Sequence, residues 1–315
     1  MRTAIKSALL GLISTFAGAK TVIMDPPSTS GEPIAIVMIH GMQCDPETYR
    51  KLFTEVQSQA VAQGYAPYVA IPEFLFDAPE PVLIDHYVQS SIKDLQDHGF
   101  TGENIFMAAH SLGGVMSQKY VKGRTDIKGQ ILMGSVLLRN NHSIDDQGET
   151  AFDYDVPTLT IGGTKDGLLR ITRVAESYWH QYTNVQSSQA GMFPVLAIEG
   201  GSHASFMDSD IVGKYVLDND LKADISEAQG HSETAKGIVG LVSQVLKSSS
   251  VEDAGTTQIL KPLVDAMEYE NSYNMKDACY AETLVNPTDD PKCLSGSRWS
   301  EQAQYIMAGE LPEGK

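Results

Sequence analysis

The chain has 315 residues, of which 42 % are hydrophobic and 20 % charged, enough apolar material for one large core or two modest ones. Its formal net charge of −17 disfavours nucleic acid and anionic membranes as partners, because few cations are present to replace phosphate counterions. Outside the N-terminus, no run approaches the roughly 18 consecutive apolar residues of a membrane-spanning helix, so the sequence predicts no transmembrane segment.

The first 19 residues have the pattern of a secretory signal peptide. Arg2 and Lys6 make a basic start, residues 8–16 are apolar, and Ala17-Gly18-Ala19 fits an A-x-A cleavage site. A buried N-terminal helix is the alternative. The pattern predicts a protein that is secreted or held in the lumen of the secretory pathway.

Short apolar strands alternate with helical segments along the middle of the chain. The strands are expected at 33–41, 65–74, 104–109, 129–136, 156–163 and 193–201, and the helices at about 46–63, 81–99, 112–121, 168–182 and 233–247. This alternation predicts an α/β fold with a mostly parallel sheet and helices on both faces.

The composition changes after about residue 250, where polar, small and turn-forming residues replace the alternating pattern. We therefore expect a main domain over residues 20–250 and a C-terminal extension over residues 251–315 that packs on it. The extension is too small to be predicted as a separate domain.

Three cysteines and one sequon depend on the cellular compartment. In an oxidising compartment Cys279 and Cys293 could close a short loop, or Cys44 could pair with either of them, and the sequence leaves the choice open. Asn141-His142-Ser143 is an acceptor motif for a glycan if the chain is secreted by a eukaryote.

Polar residues follow four of the predicted strands directly, as His40-Gly41, His110-Ser111, Lys165-Asp166 and Ser202-His203. In a parallel sheet the carboxyl ends of the strands lie at one edge, where reactive side chains gather. The sequence therefore predicts a site at that edge.

Ser111 is the candidate nucleophile. It lies between a strand and a helix in Ala109-His110-Ser111-Leu112-Gly113, where a tight turn requires small residues two positions before and after the serine. The alternative is a serine that only caps the following helix.

A serine hydroxyl needs a base to accept its proton and an acid to orient that base. His203, which follows the last strand, is the candidate base, and Asp166, which follows a strand and a glycine-rich turn, is the candidate acid. Asp166 is also suited to capping a helix. Asp155 is the main rival acid but precedes its strand, and Asp208 follows His203 too closely.

An oxyanion hole needs backbone N–H groups beside the serine. The N–H groups of Met42 and Leu112 are the candidates, with Gly41 allowing the sharp turn before Met42. His40 is expected to bond this loop and not to serve as a second base.

The order Ser111, Asp166, His203, together with the His40-Gly41-Met42 loop, resembles the α/β-hydrolase superfamily over about residues 33–247. The resemblance implies an eight-stranded, mostly parallel sheet and ester or amide hydrolysis through an acyl-enzyme. It assigns the nucleophile to Ser111, the acid to Asp166, the base to His203 and the oxyanion donors to Met42 and Leu112. Ala109 departs from the family's usual glycine.

The substrate is predicted only as an ester. The interval 137–155 is too short for a large helical cap, which suits bulky or lipophilic esters, although the segment 206–224 or the C-terminal extension could cover the site. Five aromatic residues could line a pocket or belong to the core: Tyr49, Phe74, Phe76, Phe193 and Phe206.

Carboxylesterase or lipase activity is the favoured function. The alternatives are thioester cleavage or acyl transfer by the same triad, and a non-catalytic binding protein with this fold. No cofactor or metal is predicted, because the chain lacks H-E-x-x-H and zinc-type cysteine pairs.

Overall fold

The structure is a computed structural model that describes residues 21–138, 154–184, 191–251, 255–261 and 263–264. The predicted signal peptide, Asn141, Cys279 and Cys293 lie outside these residues, as does most of the interval 137–155. None of the described helices is long and apolar enough to span a membrane.

A seven-stranded sheet forms the centre of the described chain, in the order β1-β3-β2-β4-β5-β6-β7. β1 runs antiparallel to β3, and every other neighbouring pair is parallel. The strands are β1 (Val22–Met24), β2 (Glu32–Ile39), β3 (Tyr65–Ile71), β4 (Asn104–His110), β5 (Ile127–Met133), β6 (Thr158–Gly163) and β7 (Val195–Ile198). The predicted α/β fold with a mostly parallel sheet is confirmed.

The strand count differs from both expectations. The sequence pattern indicated six strands and the resemblance implied eight, whereas the described residues form seven. The additional strand, β1, has only three residues, too few for an alternating or continuous apolar pattern to be recognised.

In the described part of the chain, six α-helices cover the two faces of the sheet, and residues 255–261 add a helical segment. They are α1 (Arg50–Ala62), α2 (Pro81–Asp97), α3 (Leu112–Val121), α4 (Ile171–Asn184), α5 (Lys214–Asn219) and α6 (Glu227–Lys247). α6 begins at Glu227 and not at Glu233, because the Ser226 side chain accepts the N–H of Gln229 and caps the helix there.

The core lies on both faces of the sheet, and β2 serves both. Ile34, Ile36 and Met38 pack with α1 and α6, whereas Val37 and Ile39 pack with α2. Successive side chains of a strand point to opposite faces. The uninterrupted apolar sequence of β2 is therefore what a strand between two helical layers requires.

Glycine sets how closely α3 approaches β2. A Cβ built on Gly113 would collide with the carbonyl oxygens of Ile39 and His40, so a larger residue here would push the helix away. This close approach places the start of α3 against the end of β2, beside the candidate site.

Residues at the start of the predicted C-terminal extension pack on β7 and α4. The Thr256 hydroxyl accepts the N–H of Ala197 in β7 at 2.9 Å, and Leu260 and Leu263 are buried with Val174 of α4.

Candidate active site

All four predicted motifs lie at the carboxyl edge of the sheet. His40 directly follows β2 and Ser111 directly follows β4, whereas Asp166 lies three residues after the end of β6 and His203 five after the end of β7. These strands are neighbours or next neighbours in one parallel array, so their ends bring the motifs together.

Ser111 occupies a strained turn between β4 and α3. Its φ of 52° and ψ of −126° are unfavourable for a residue with a Cβ, and its side chain makes no capping hydrogen bond. A Cβ built on Gly41 would lie 3.2 Å from Cβ of Ser111, which puts the loop after β2 directly beside the serine. Ser111 therefore occupies the N-cap position of α3 without its hydroxyl capping the helix.

Asp166 and His203 form a buried pair. Nδ1 of His203 donates to Oδ2 of Asp166 at 2.8 Å, and the two residues are 1 % and 2 % exposed. The other oxygen, Oδ1, accepts the N–H groups of Leu168 (2.9 Å) and Leu169 (2.6 Å). The carboxylate therefore caps its own turn and orients the imidazole at once.

The turn after β6 and the turn before His203 are in direct contact. A Cβ on Gly163 would collide with the carbonyl of Gly201, and the Lys165 N–H donates to that same carbonyl at 2.8 Å. The two motifs are far apart in sequence, and the lack of a side chain at Gly163 lets their loops touch.

The second imidazole nitrogen of His203 is free. Because Nδ1 carries the proton that it donates to Asp166, Nε2 keeps its lone pair, and this buried atom has no hydrogen-bond partner among the described residues. Ser111 and His203 both lie near the end of β5. The Ser111 N–H donates to the Met133 carbonyl, and a Cβ on Gly134 would lie 2.9 Å from the His203 ring.

The loop of residues 40–43, here called the oxyanion loop after its predicted role, offers one N–H group without a partner among the described residues. The Gly41 N–H donates to the Tyr49 hydroxyl at 3.0 Å, whereas that of Met42 makes no hydrogen bond within the described chain. Leu112 is the first residue of α3, so its N–H has no acceptor inside the helix. The N–H groups of both predicted donors therefore have no acceptor among the described residues.

His40 bonds the oxyanion loop, as the sequence predicted. Its Nδ1 donates to the Gly41 carbonyl at 2.7 Å, and its Nε2 accepts the N–H of Phe74 at 3.2 Å. Burial lowers the pKa of His40, which keeps the ring neutral. Both nitrogens are occupied, so this ring has no nitrogen left to act as a base.

Tyr49 and His110 form a buried pair that no sequence pattern indicated. The Tyr49 hydroxyl is hydrogen-bonded to Nδ1 of His110 at 2.9 Å while it accepts the Gly41 N–H. The His110 ring lies 4.5 Å from that of His203, centroid to centroid, and burial holds its pKa well below the usual range. This chain of contacts connects the oxyanion loop with the candidate base.

Asp220 is a second residue that the sequence analysis missed. Its Oδ1 accepts the N–H of Gly167 at 2.9 Å, and its Oδ2 accepts the N–H of Ala204 at 2.8 Å. One carboxylate thus holds the residue after Asp166 and the residue after His203. The only sequence signal was an acidic residue downstream of His203, which the other acidic residues nearby share.

The rival acids have other roles. The Asp155 carboxylate accepts the N–H of Gly123, which lies in the turn that follows α3. Asp208 accepts the N–H of Lys51 at 3.2 Å through both carboxylate oxygens.

Four of the five aromatic pocket candidates belong to the core. Tyr49, Phe74, Phe193 and Phe206 are all at most 4 % exposed. Phe76 differs from them, because it is 85 % exposed and has a φ of 58°.

Cys44 is a buried free thiol. Its Sγ contacts the Met42 carbonyl and the sulfur of Met207, and burial raises its pKa. Cys44 therefore packs against the oxyanion loop.

One cluster among the described residues has the composition of a metal site. Asp208, Glu227 and His231 offer ligand atoms within 4.8 Å of one another. The Lys51 ammonium already lies 3.1 Å from Glu227, and His231 Nε2 is hydrogen-bonded to the Met207 carbonyl. These groups therefore have partners within the protein.

A parallel sheet with a strained strand-to-helix serine at its carboxyl edge defines the α/β-hydrolase class of folds. A sequence model described as the alpha/beta hydrolase family matches residues 35–230. The chain belongs to that family. The solved structure of Est1E from Butyrivibrio proteoclasticus is similar with a TM-score of 0.45 at 15 % identity, over 72 % of this chain and 96 % of that one. No curated protein sequence matches the chain.

Proposed function

We propose that this hydrolase-family protein cleaves carboxylic esters through an acyl-enzyme formed on Ser111. The observation that carries the proposal is the buried His203 imidazole, which has Asp166 on one nitrogen and a free lone pair on the other. A buried polar atom without a partner is costly, and such atoms are retained where they do chemistry.

In the first step, His203 Nε2 accepts the Ser111 proton as the serine oxygen attacks the ester carbonyl carbon. The negative charge that develops on the carbonyl oxygen is stabilised by the N–H groups of Met42 and Leu112. The imidazolium is stabilised by Asp166. His203 then gives its proton to the leaving alcohol oxygen as the ester bond breaks.

In the second step, water attacks the acyl-enzyme. His203 accepts a proton from the water and returns it to Ser111 as the acid is released, which restores the resting enzyme. The strained backbone of Ser111 supports this role, because backbone strain is concentrated at functional sites.

A fluorophosphonate probe tests the proposal directly. We expect it to label Ser111 in the folded wild-type protein and to leave Ser111→Ala unlabelled, with loss of short-chain p-nitrophenyl ester hydrolysis in the variant. A folded wild-type protein that is neither labelled nor active would overturn the proposal.

A further inference from the structure

Large apolar side chains are exposed in only a few places on the described surface. The exposed side chains are those of Met42 in the oxyanion loop, Leu75 and Phe76, four residues between 211 and 221, and Val82 at the start of α2. Single exposed apolar residues are ordinary, whereas a concentration of them in adjoining segments marks a binding surface.

The turn at residues 74–77 is fastened to the oxyanion loop. The Gln43 N–H donates to the Asp77 carbonyl at 2.8 Å, and His40 accepts the N–H of Phe74. Phe76 is therefore held beside the loop that carries Met42.

The segment 207–221, here called the bridging segment, runs from the oxyanion loop to the other two loops of the site. At its start, the Asp208 N–H donates to the Thr48 carbonyl at 2.6 Å, and a Cβ on Gly213 would lie 3.2 Å from the Gln43 carbonyl oxygen. At its end, Asp220 bonds Gly167 and Ala204. The segment thus runs along the loops at the carboxyl edge of the sheet, in contact with residues next to Met42, Asp166 and His203.

Burial in the core does not explain the conformation of the turn that carries Phe76. Gln43, Phe76 and Asp77 all have φ between 51° and 58°, a conformation that costs on the order of 1 kcal/mol for a residue with a Cβ. At Phe76 this strained backbone holds an aromatic ring that is 85 % exposed, so the ring gains little from burial in the core. A ligand contact would account for both features.

We propose that these residues form an apolar collar that binds the large apolar group of a neutral, lipophilic ester while its carbonyl lies at Ser111. The collar consists of Met42, Phe76, Ile211, Tyr215, Leu217 and Leu221. The inference rests on the proposed function, because the collar is placed by its contacts with the loops of that site. The net charge of −17 favours a neutral substrate over an anionic lipid surface.

The test compares two p-nitrophenyl esters, acetate and octanoate, at monomeric concentrations. The double variant Phe76→Ser/Leu217→Ser should lower kcat/KM for octanoate about tenfold or more and leave acetate unchanged, since each buried methylene contributes roughly fourfold in binding. Val82→Ser is the matched control, because it removes an exposed apolar side chain outside the collar. An octanoate-to-acetate ratio that is the same in all three proteins would overturn the collar.

Two further measurements separate this proposal from the proposed function. Labelling of Ser111 by fluorophosphonate with an unchanged ester ratio would reject the collar alone. If no ester were hydrolysed, calorimetric binding of methyl decanoate to Ser111→Ala, with and without the two collar substitutions, would still test it. Equal binding by both proteins would reject the collar.

The oligomeric state tests a different occupant of the same surface. If the wild type were a dimer that the double variant dissociates, with the ester ratio unchanged, the surface would be assigned to a second copy of the chain instead.

Discussion

The Asp220 carboxylate accepts the backbone N–H of Ala204, the residue after the candidate base His203, at 2.8 Å. Its other oxygen accepts the N–H of Gly167, the residue after Asp166. Gly167 must be a glycine for this contact, because a Cβ there would lie 2.8 Å from the Asn219 carbonyl oxygen and the Leu221 nitrogen. Asp220 is thus placed to position the acid and the base relative to each other.

Replacing Asp220 with alanine should lower kcat roughly 10- to 100-fold and leave KM nearly unchanged, because small displacements of a catalytic base have effects of this size. Asp220→Asn, which keeps one acceptor oxygen, should lose less. The reactive fraction is measured by fluorophosphonate titration, so that unfolded protein is not counted. Asp218→Asn is the control, since Asp218 is exposed and pairs with Lys214. A lower melting temperature with normal kcat per labelled site would mean that Asp220 is only structural.

Replacing Tyr49 with phenylalanine should reduce both stability and catalysis. The substitution keeps the ring but removes the acceptor of the Gly41 N–H and the partner of His110, both of them buried. Unsatisfied buried groups cost about 1–3 kcal/mol, which denaturant titration can measure. Because Gly41 precedes the proposed oxyanion donor Met42, kcat should fall more than KM changes. A loss of stability with no change in kcat would show that Tyr49 does not position the oxyanion loop for catalysis.

The strain at Ser111 predicts that replacing it with glycine stabilises the protein, although the same substitution removes the activity. Ser111→Gly should raise the free energy of unfolding by about 1 kcal/mol or more, because glycine adopts positive φ without steric cost. Ser111→Ala keeps the Cβ and should show no such gain, although both variants should be inactive. Chemical denaturation of the three proteins gives the comparison. Equal stabilities of the glycine and alanine variants would show that the turn is not strained.

Two buried histidines and one buried carboxyl make the stability of the fold change with pH in opposite directions. Burial lowers the pKa values of His40 and His110, so below about pH 6.5 the unfolded chain binds more protons and stability falls with falling pH. Burial raises the pKa of Asp208 to about 6. Here the folded chain binds the extra proton between about pH 6 and 4, so this group adds stability as the pH falls.

Asp208→Asn removes only the contribution of that carboxyl. The wild-type free energy of unfolding, minus that of the variant, should therefore increase as the pH is lowered from 7 to 4. Urea unfolding at each pH unit measures this difference. A difference that stays constant, or that decreases on acidification, would contradict the raised pKa of Asp208.

The sequence by itself determined the alternation of strands and helices, because buried parallel strands need continuous apolar runs and helices need apolar residues at helical spacing. It also placed His40, Ser111, Asp166 and His203 at strand ends, which a parallel sheet necessarily brings to one edge. β1 escaped detection because three residues are too few to show a period.

Only the tertiary structure decided which side chains meet at that edge. Asp166 reaches His203 because Gly163 lets two loops touch, and Asp220, 54 residues after Asp166 in the sequence, fastens both loops. Phe76 and Phe74 are both aromatic and nearly adjacent, yet one is exposed and the other buried. Local periodicity reflects the average face that an element buries, whereas these contacts depend on how distant loops pack, which no local pattern encodes.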